Sequence, residues 1–224
     1  MRMPLLNKVY WALRRGWKRT TPDAQRAIQA FVASQKTDGG YMNAGGREDA
    51  YYKQFGEVLE AVFSPFKLLG MHISLTVQKS RQKDTIYMRF FNFLEVERHI
   101  MGRRTNLKSH LLNLPPAKTT NTACCILAMQ YQTNSQPDPS LLTWLLERQD
   151  DTGGFHATDQ APVPDLLSTA VALFTLRLVG GGFKDAAAFI HAHWLDSGGF
   201  TPTIFDNYSD VEYVFYGLLA LGSI

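Results

Sequence analysis

Three carboxylates stand where a sequence could do acid chemistry. Asp165 opens the run D-L-L-S-T-A-V-A-L-F, Asp210 opens D-V-E-Y-V-F-Y-G-L-L, and Glu212 follows Asp210 by two residues. An acid at the start of a helix satisfies free N–H groups and suits the helix dipole, so capping is the ordinary work of Asp165 and Asp210. Asp49 opens a third such run. Glu212 differs, because the equivalent places hold Tyr51 and Leu167. A catalytic acid need appear only once, which makes Glu212 the strongest candidate. Any of these carboxyls buried beside an apolar lumen rises in pKa and can act as a general acid. Aromatic residues align between the same runs: Tyr52 with Tyr213, and Phe55 with Tyr216. Aromatics at helical spacing are ordinary core; facing a cavity, they hold an apolar chain or stabilise a cation. His156 directly follows a Gly-Gly-Phe, and Arg47 lies just before Asp49; both are candidate ligand contacts, Arg47 for an anionic head group.

The elements that position these residues repeat. AIQAFVASQKTDGGY ends at Tyr41, LLTWLLERQDDTGGF at Phe155 and AAAFIHAHWLDSGGF at Phe200. Each is an apolar-periodic helix, then Gln or Trp, three residues, and Gly-Gly-aromatic. The glycine pair permits positive φ and close backbone approach, and the aromatic plugs the turn. A second helix follows each turn, starting at Asp49, Asp165 or Asp210; TNTACCILAMQ is a fourth copy of that helix with Lys118 in place of the Asp. Thr21-Pro22-Asp23 and Asp138-Pro139-Ser140 give two more helix starts, each a cap followed by proline. Between about 57 and 110 the pattern predicts a helix ending or kinking near Pro65, a polar loop, and a helix over YMRFFNFLEVERHIM. The basic cluster Arg98, His99, Arg103, Arg104 and Lys108 reads as a solvated face, or as a phosphate or membrane contact. No strand-like alternation persists, and the expectation is an all-α protein of about nine helices.

Composition narrows the function. At 45% apolar and 12% aromatic, 224 residues can bury one sizeable core. Arg2, Lys8, Arg14, Arg15, Lys18 and Arg19 occupy the first nineteen residues with no acid among them, leaving 17 basic against 20 acidic residues in the rest. A nucleic-acid binder would carry its basic excess on the body of the domain, so nucleic acid is not the expected partner. Val9, Tyr10, Leu13 and Trp17 fall with Leu6 on one face of a helix. Residues 1–20 are therefore read as a basic amphipathic helix before a single domain at 21–224, either packing on that domain or lying on anionic lipid. Cys124 and Cys125 are adjacent and unsuited to pair with each other, which fits a reducing, cytoplasmic setting; a peripheral membrane location is the alternative. His191 and His193 are two apart on a helix and point to different faces, so they do not form a chelating pair.

Q-K-T-D-G-G-Y at 35–41 and Q-D-D-T-G-G-F at 149–155 resemble the Q-x3-G-x-aromatic repeat of squalene-hopene cyclases and protein prenyltransferase β subunits. The resemblance covers about 22–55 and 117–224 and implies an α–α toroid, alternating inner and outer helices around an apolar centre. With fewer helices than a closed ring of the family, the ring is expected to be incomplete. The family's chemistries leave little trace. Its zinc ligands would fall at Asp165, Leu167 and Tyr213, not a zinc set. The loop HATDQAPVP lacks the Arg and Lys that hold diphosphate, and D-x-D-D and D-C-T-A-E are both absent. The resemblance thus implies a divergent prenyltransferase-like or terpene-cyclase-like protein, binding or transforming an isoprenoid or similar lipid in a central cavity. If it is an enzyme, it is a transferase or cyclase with no metal on the usual ligands; a magnesium requirement stays open. The alternative is a non-catalytic helical scaffold that pairs with itself or with a partner chain.

Overall fold

In the computed structural model, which describes residues 5–64 and 117–224, the chain is predominantly helical, with one two-stranded hairpin of minimal length. The helices expected between Pro65 and residue 110, and the basic cluster there, lie outside the described residues. Helix α1 is Leu5–Arg19 and α2 is Pro22–Ser34; strands β1 (Tyr41–Met42) and β2 (Glu48–Asp49) precede α3, Ala50–Phe63. Then come α4 (Thr120–Gln132), α5 (Pro139–Leu146), α6 (Leu166–Val179), α7 (Ala187–Ala192) and α8 (Val211–Leu221). The β1–β2 pair was not foreseen: two residues a side are too few for alternation to register.

Burial sorts the helices into two kinds. Every residue of α6 from Leu166 to Leu176 is buried, and in α8 every residue except Tyr213. A helix apolar all round must be enclosed by others. By contrast α2 buries only Ile28 and Val32, α5 only Leu145, and α7 only Phe189 and Ile190: one stripe each. With α4 and α3, which bury a wider face than one stripe although α3 keeps Lys53 and Glu57 exposed, α6 and α8 form the enclosed row in the order α4, α6, α8, α3, and the one-stripe helices pack against it, α5 on α4, α7 on α8 and α2 on α3.

All three Gly-Gly-aromatic segments close on an antiparallel bridge, the second and third in one register and the first one residue tighter. Antiparallel bridges join Lys36 to Tyr41, Gln149 to Phe155 and Trp194 to Phe200. The buried Gln149 amide donates to the carbonyls of Gly153 (3.0 Å) and Lys184 (2.9 Å) and accepts from the Lys184 N–H (2.7 Å), tying its turn to the chain entering α7. Trp194 instead sets its ring edge-on to Phe200 at 5.2 Å. Gly153 and Gly198 have φ of +88° and +98°, in the left-handed region. A Cβ on Gly153 would collide with the Asp185 carbonyl before α7; on Gly198 it would collide with the backbone of Ala27 and Ile28 in α2. The last of the three Gly-Gly-aromatic turns therefore seats on α2.

Helix α1 belongs to the packed body. Leu5, Val9, Ala12, Leu13 and Trp17 are buried. It crosses the C-terminal ends of the enclosed helices, and its cations explain themselves there. Arg14 donates to the Val62 carbonyl at the end of α3, while Arg15 and Arg19 donate to the carbonyls of Gly222 and Leu221 at the end of α8, each at 2.9 Å. Lys8 lies 5.2 Å from the ring centre of Tyr131, at the end of α4. The last carbonyls of a helix lack partners and sit at the negative end of its dipole, so cations belong there. The crossing of α1 over α8 is close enough that a Cβ on Gly16 would overlap the Leu218 carbonyl, and one on Gly222 the Ala12 carbonyl. Among the described residues, no helix is long and apolar enough to cross a membrane.

Candidate functional site

The N-terminal ends of the enclosed helices lie opposite α1, and each carries a side-chain cap. Asp49 accepts from Tyr51 N–H at 2.9 Å, Asp165 from Ser168 N–H at 2.7 Å, and Asp210 from Glu212 N–H at 2.9 Å and Tyr213 N–H at 3.2 Å. In the fourth helix, where Lys118 replaces the Asp, the cap is Thr119, accepting from Thr122 N–H at 3.1 Å. Capping alone accounts for Asp49, which is exposed.

At α8 the structure brings together more than a cap. Asp210 and Glu212 are 2% and 6% exposed, which for two carboxylates two residues apart is costly. The Glu212 Oε1 accepts a hydrogen bond from the Tyr51 hydroxyl at 2.9 Å, and the Tyr52 hydroxyl bonds Asp210. The backbone N–H of Ala44, in the β1–β2 turn, also favours the ionised form of Asp210. Burial pushes Glu212 up to about 8, with the neighbouring Asp210 charge adding to the rise and the Tyr51 hydrogen bond offsetting part of it. Burial likewise pushes Asp210 up to about 6, opposed by the N–H groups of Tyr213 and Glu212 and by Tyr52. Both tyrosine hydroxyls are raised far above their ordinary value, chiefly by burial and then by the carboxylates they face. Of the two, Glu212 is the more reluctant to ionise, because it is buried beside the Asp210 charge and lacks the N–H donors that Asp210 has.

Aromatic rings enclose this pair. Tyr51 meets Tyr52 and Phe55 edge-on, each at 5.2 Å between ring centres, and Phe55 meets Phe215 at 5.4 Å and Tyr216 at 6.1 Å. Phe55 and Tyr216 are fully buried and act as packing; Tyr52 and Tyr213 keep part of their surface. Of the nine residues singled out from the sequence, Asp210, Glu212, Tyr52, Phe55, Tyr213 and Tyr216 gather on α3 and α8. Tyr51 is the member that sequence reasoning missed as a partner: it was noted only as the place equivalent to Glu212, and those two equivalent places face each other.

The other three fall elsewhere. Arg47 is exposed in the β1–β2 turn and is not among the groups acting on Asp210 or Glu212. His156 belongs with Asp165. Its Nδ1 lies 2.9 Å from the Ala161 carbonyl, its Nε2 lies 3.6 Å from the Asp150 carboxylate, and its charge acts on Asp165, which burial raises. His193 is fully buried, with Nδ1 on the Phe189 carbonyl at 2.8 Å. Among the described residues no three His, Cys, Asp or Glu side chains are grouped to hold a metal, and the zinc set at Asp165 would need ligands where Leu167 and Tyr213 stand.

Comparison with protein-family models, with curated proteins and with solved structures finds no match to this chain.

Proposed function

We propose that the chain is a divergent α–α toroid of the prenyltransferase and squalene-cyclase type, and that it binds an isoprenoid or similar lipid with the polar end of the ligand at Glu212. The enclosed and one-stripe helices fit the inner and outer rows of such a ring. The seating of Gly198 on α2 and the pairing of α3 with α8 support a ring in which the last repeat meets the first.

The observation that carries the site is Glu212 itself. Capping explains Asp210, but nothing in helix formation requires a second carboxylate to be buried two residues later against Tyr51 and Tyr52. A neutral carboxylic acid there offers a proton to a hydroxyl or an ester oxygen of a bound ligand. A raised pKa makes a weaker acid, so the site suits hydrogen bonding or proton donation to oxygen better than protonation of a carbon–carbon double bond. Partly exposed Tyr52 and Tyr213 supply an apolar approach to it. Leu167 and Tyr213, at the zinc positions, do not fit that ion.

The test is native mass spectrometry of the purified protein with farnesol, geranylgeraniol and their acetate esters. Retention of one of them, lost on Glu212→Gln or Tyr213→Ala, is expected; no retention by a folded protein refutes the reading. The scaffold reading has one observation in its favour: Ile204, Phe205 and Tyr208 are 56%, 77% and 44% exposed on a single loop. A stable dimer or a tightly bound partner chain, abolished by Phe205→Ser while lipid never binds, would establish that reading instead.

A further inference from the structure

The two ends of the seam between α3 and α8 are built differently. At the C-terminal ends, α1 spans both helices and holds each by arginine-to-carbonyl bonds, with close backbone contact at Gly16 and Gly222. At the N-terminal ends, two acids make polar contacts across the seam among the described residues: Glu212 with Tyr51, and Asp210 with Tyr52, with the Ala44 N–H favouring the ionised Asp210. Between the two ends, Phe55 rests on Phe215.

We propose that this acid–tyrosine cluster is a proton-operated latch, which holds the β1–β2 hairpin and the first turn of α3 against α8 while Glu212 is protonated and lets them lift when it ionises, the seam turning about its α1 end. The groups facing Glu212 are Asp210 beside it on α8 and Tyr51 from α3; Tyr216 of α8 acts on Tyr51, while Asp49 and the two acids act on Tyr52. None of these can supply a positive charge. Ionised Glu212 therefore leaves two like charges buried together, and lifting the hairpin restores water to both. Opening also uncovers Tyr52 and Tyr213, so the latch would govern access to the ligand site proposed above; that consequence rests on the lipid reading, whereas the latch does not.

The direction with pH follows from linkage. In the closed form burial and Asp210 push Glu212 up to about 8; lifted into water it returns toward 4.5. Opening then releases a proton between those values, so the open population grows with pH, by up to about tenfold per unit, and levels off above about 8. Asp210 adds a like contribution only below about 6. Above pH 6 the response belongs to Glu212.

The experiment is hydrogen–deuterium exchange of the ligand-free full chain from pH 6 to 9, corrected for the intrinsic effect of pH on exchange. Protection of residues 41–54 is expected to fall between pH 6 and 8 and then level, while α1 and residues 217–222 hold steady. Glu212→Gln should abolish the fall. Tyr51→Phe removes a hydrogen bond that favours the ionised form, so levelling should move to higher pH. Protection of 41–54 that ignores pH, an unchanged response in Glu212→Gln, or an unmoved plateau in Tyr51→Phe would each overturn the latch. Because no lipid is present, failure here is distinct from failure of ligand binding in the mass spectrometer.

Discussion

Glu212 sits where an ionised side chain is unwelcome, and its effect on stability has a definite sign. A carboxyl raised in the folded state contributes nothing against folding below its unfolded pKa and costs progressively more as pH climbs to its folded value. Between pH 6 and 8 the wild-type chain should lose on the order of 1–3 kcal/mol through this group, and Glu212→Gln should lose none of that. Urea unfolding at the two pH values checks it; equal slopes for the two proteins would show that Glu212 is not strained. Part of this was legible in the sequence. Glu212 stood out because Tyr51 and Leu167 occupy the equivalent places, and Asp49, Asp165 and Asp210 read correctly as caps. The Tyr51–Glu212 contact was not legible, because aligning repeats shows which positions correspond and not which of them touch. Arg47 looked useful by its position in a loop, but the hairpin that forms there turns it to solvent.

At the scale of the element, α1 shows how one pattern admits two fates. Its apolar face and cationic flank suit a lipid surface and a protein surface alike; the cations settle on the carbonyl ends of α3 and α8. Replacing both Arg15 and Arg19 with Gln should cost about 1–2 kcal/mol, less in high salt, as measured by thermal unfolding. A change near zero would mean that the two bonds add nothing to stability. The crossing with α8 gives a sharper contrast. Gly222→Ala forces a methyl into the Ala12 carbonyl, whereas Gly182→Ala meets open space. The first should destabilise by about 1–3 kcal/mol or more and the second by well under 1. Similar losses at both sites would contradict the close crossing. The turns were read more completely than the crossing, since Gly-Gly-aromatic is a local signal, while a helix crossing is decided by whatever happens to lie opposite.

Over the described residues, α3 and α8 present their negative ends to the basic helix α1, while α3, α6 and α8 carry acidic caps at their positive ends, so much of the uneven charge of the sequence maps onto the two ends of the bundle. The seating of the last Gly-Gly-aromatic turn on α2 lay beyond the sequence, because chain separation hides that contact: Gly198 and Ala27 are far apart in number and pressed together in space. The acids and tyrosines of the candidate site lie on α3 and α8 and meet only because those two helices are neighbours. A lipid held there should therefore touch both the first and the last of the enclosed helices. The most direct measurement is photolabelling with a diazirine-bearing farnesyl analogue, followed by peptide mapping. Labelling at Tyr52 and within residues 210–216, competed by unlabelled lipid and lost in Glu212→Gln, is the expected result. Label confined to the Ile204–Tyr208 loop or to α1, or no competed label at all, would contradict a lipid site between these helices.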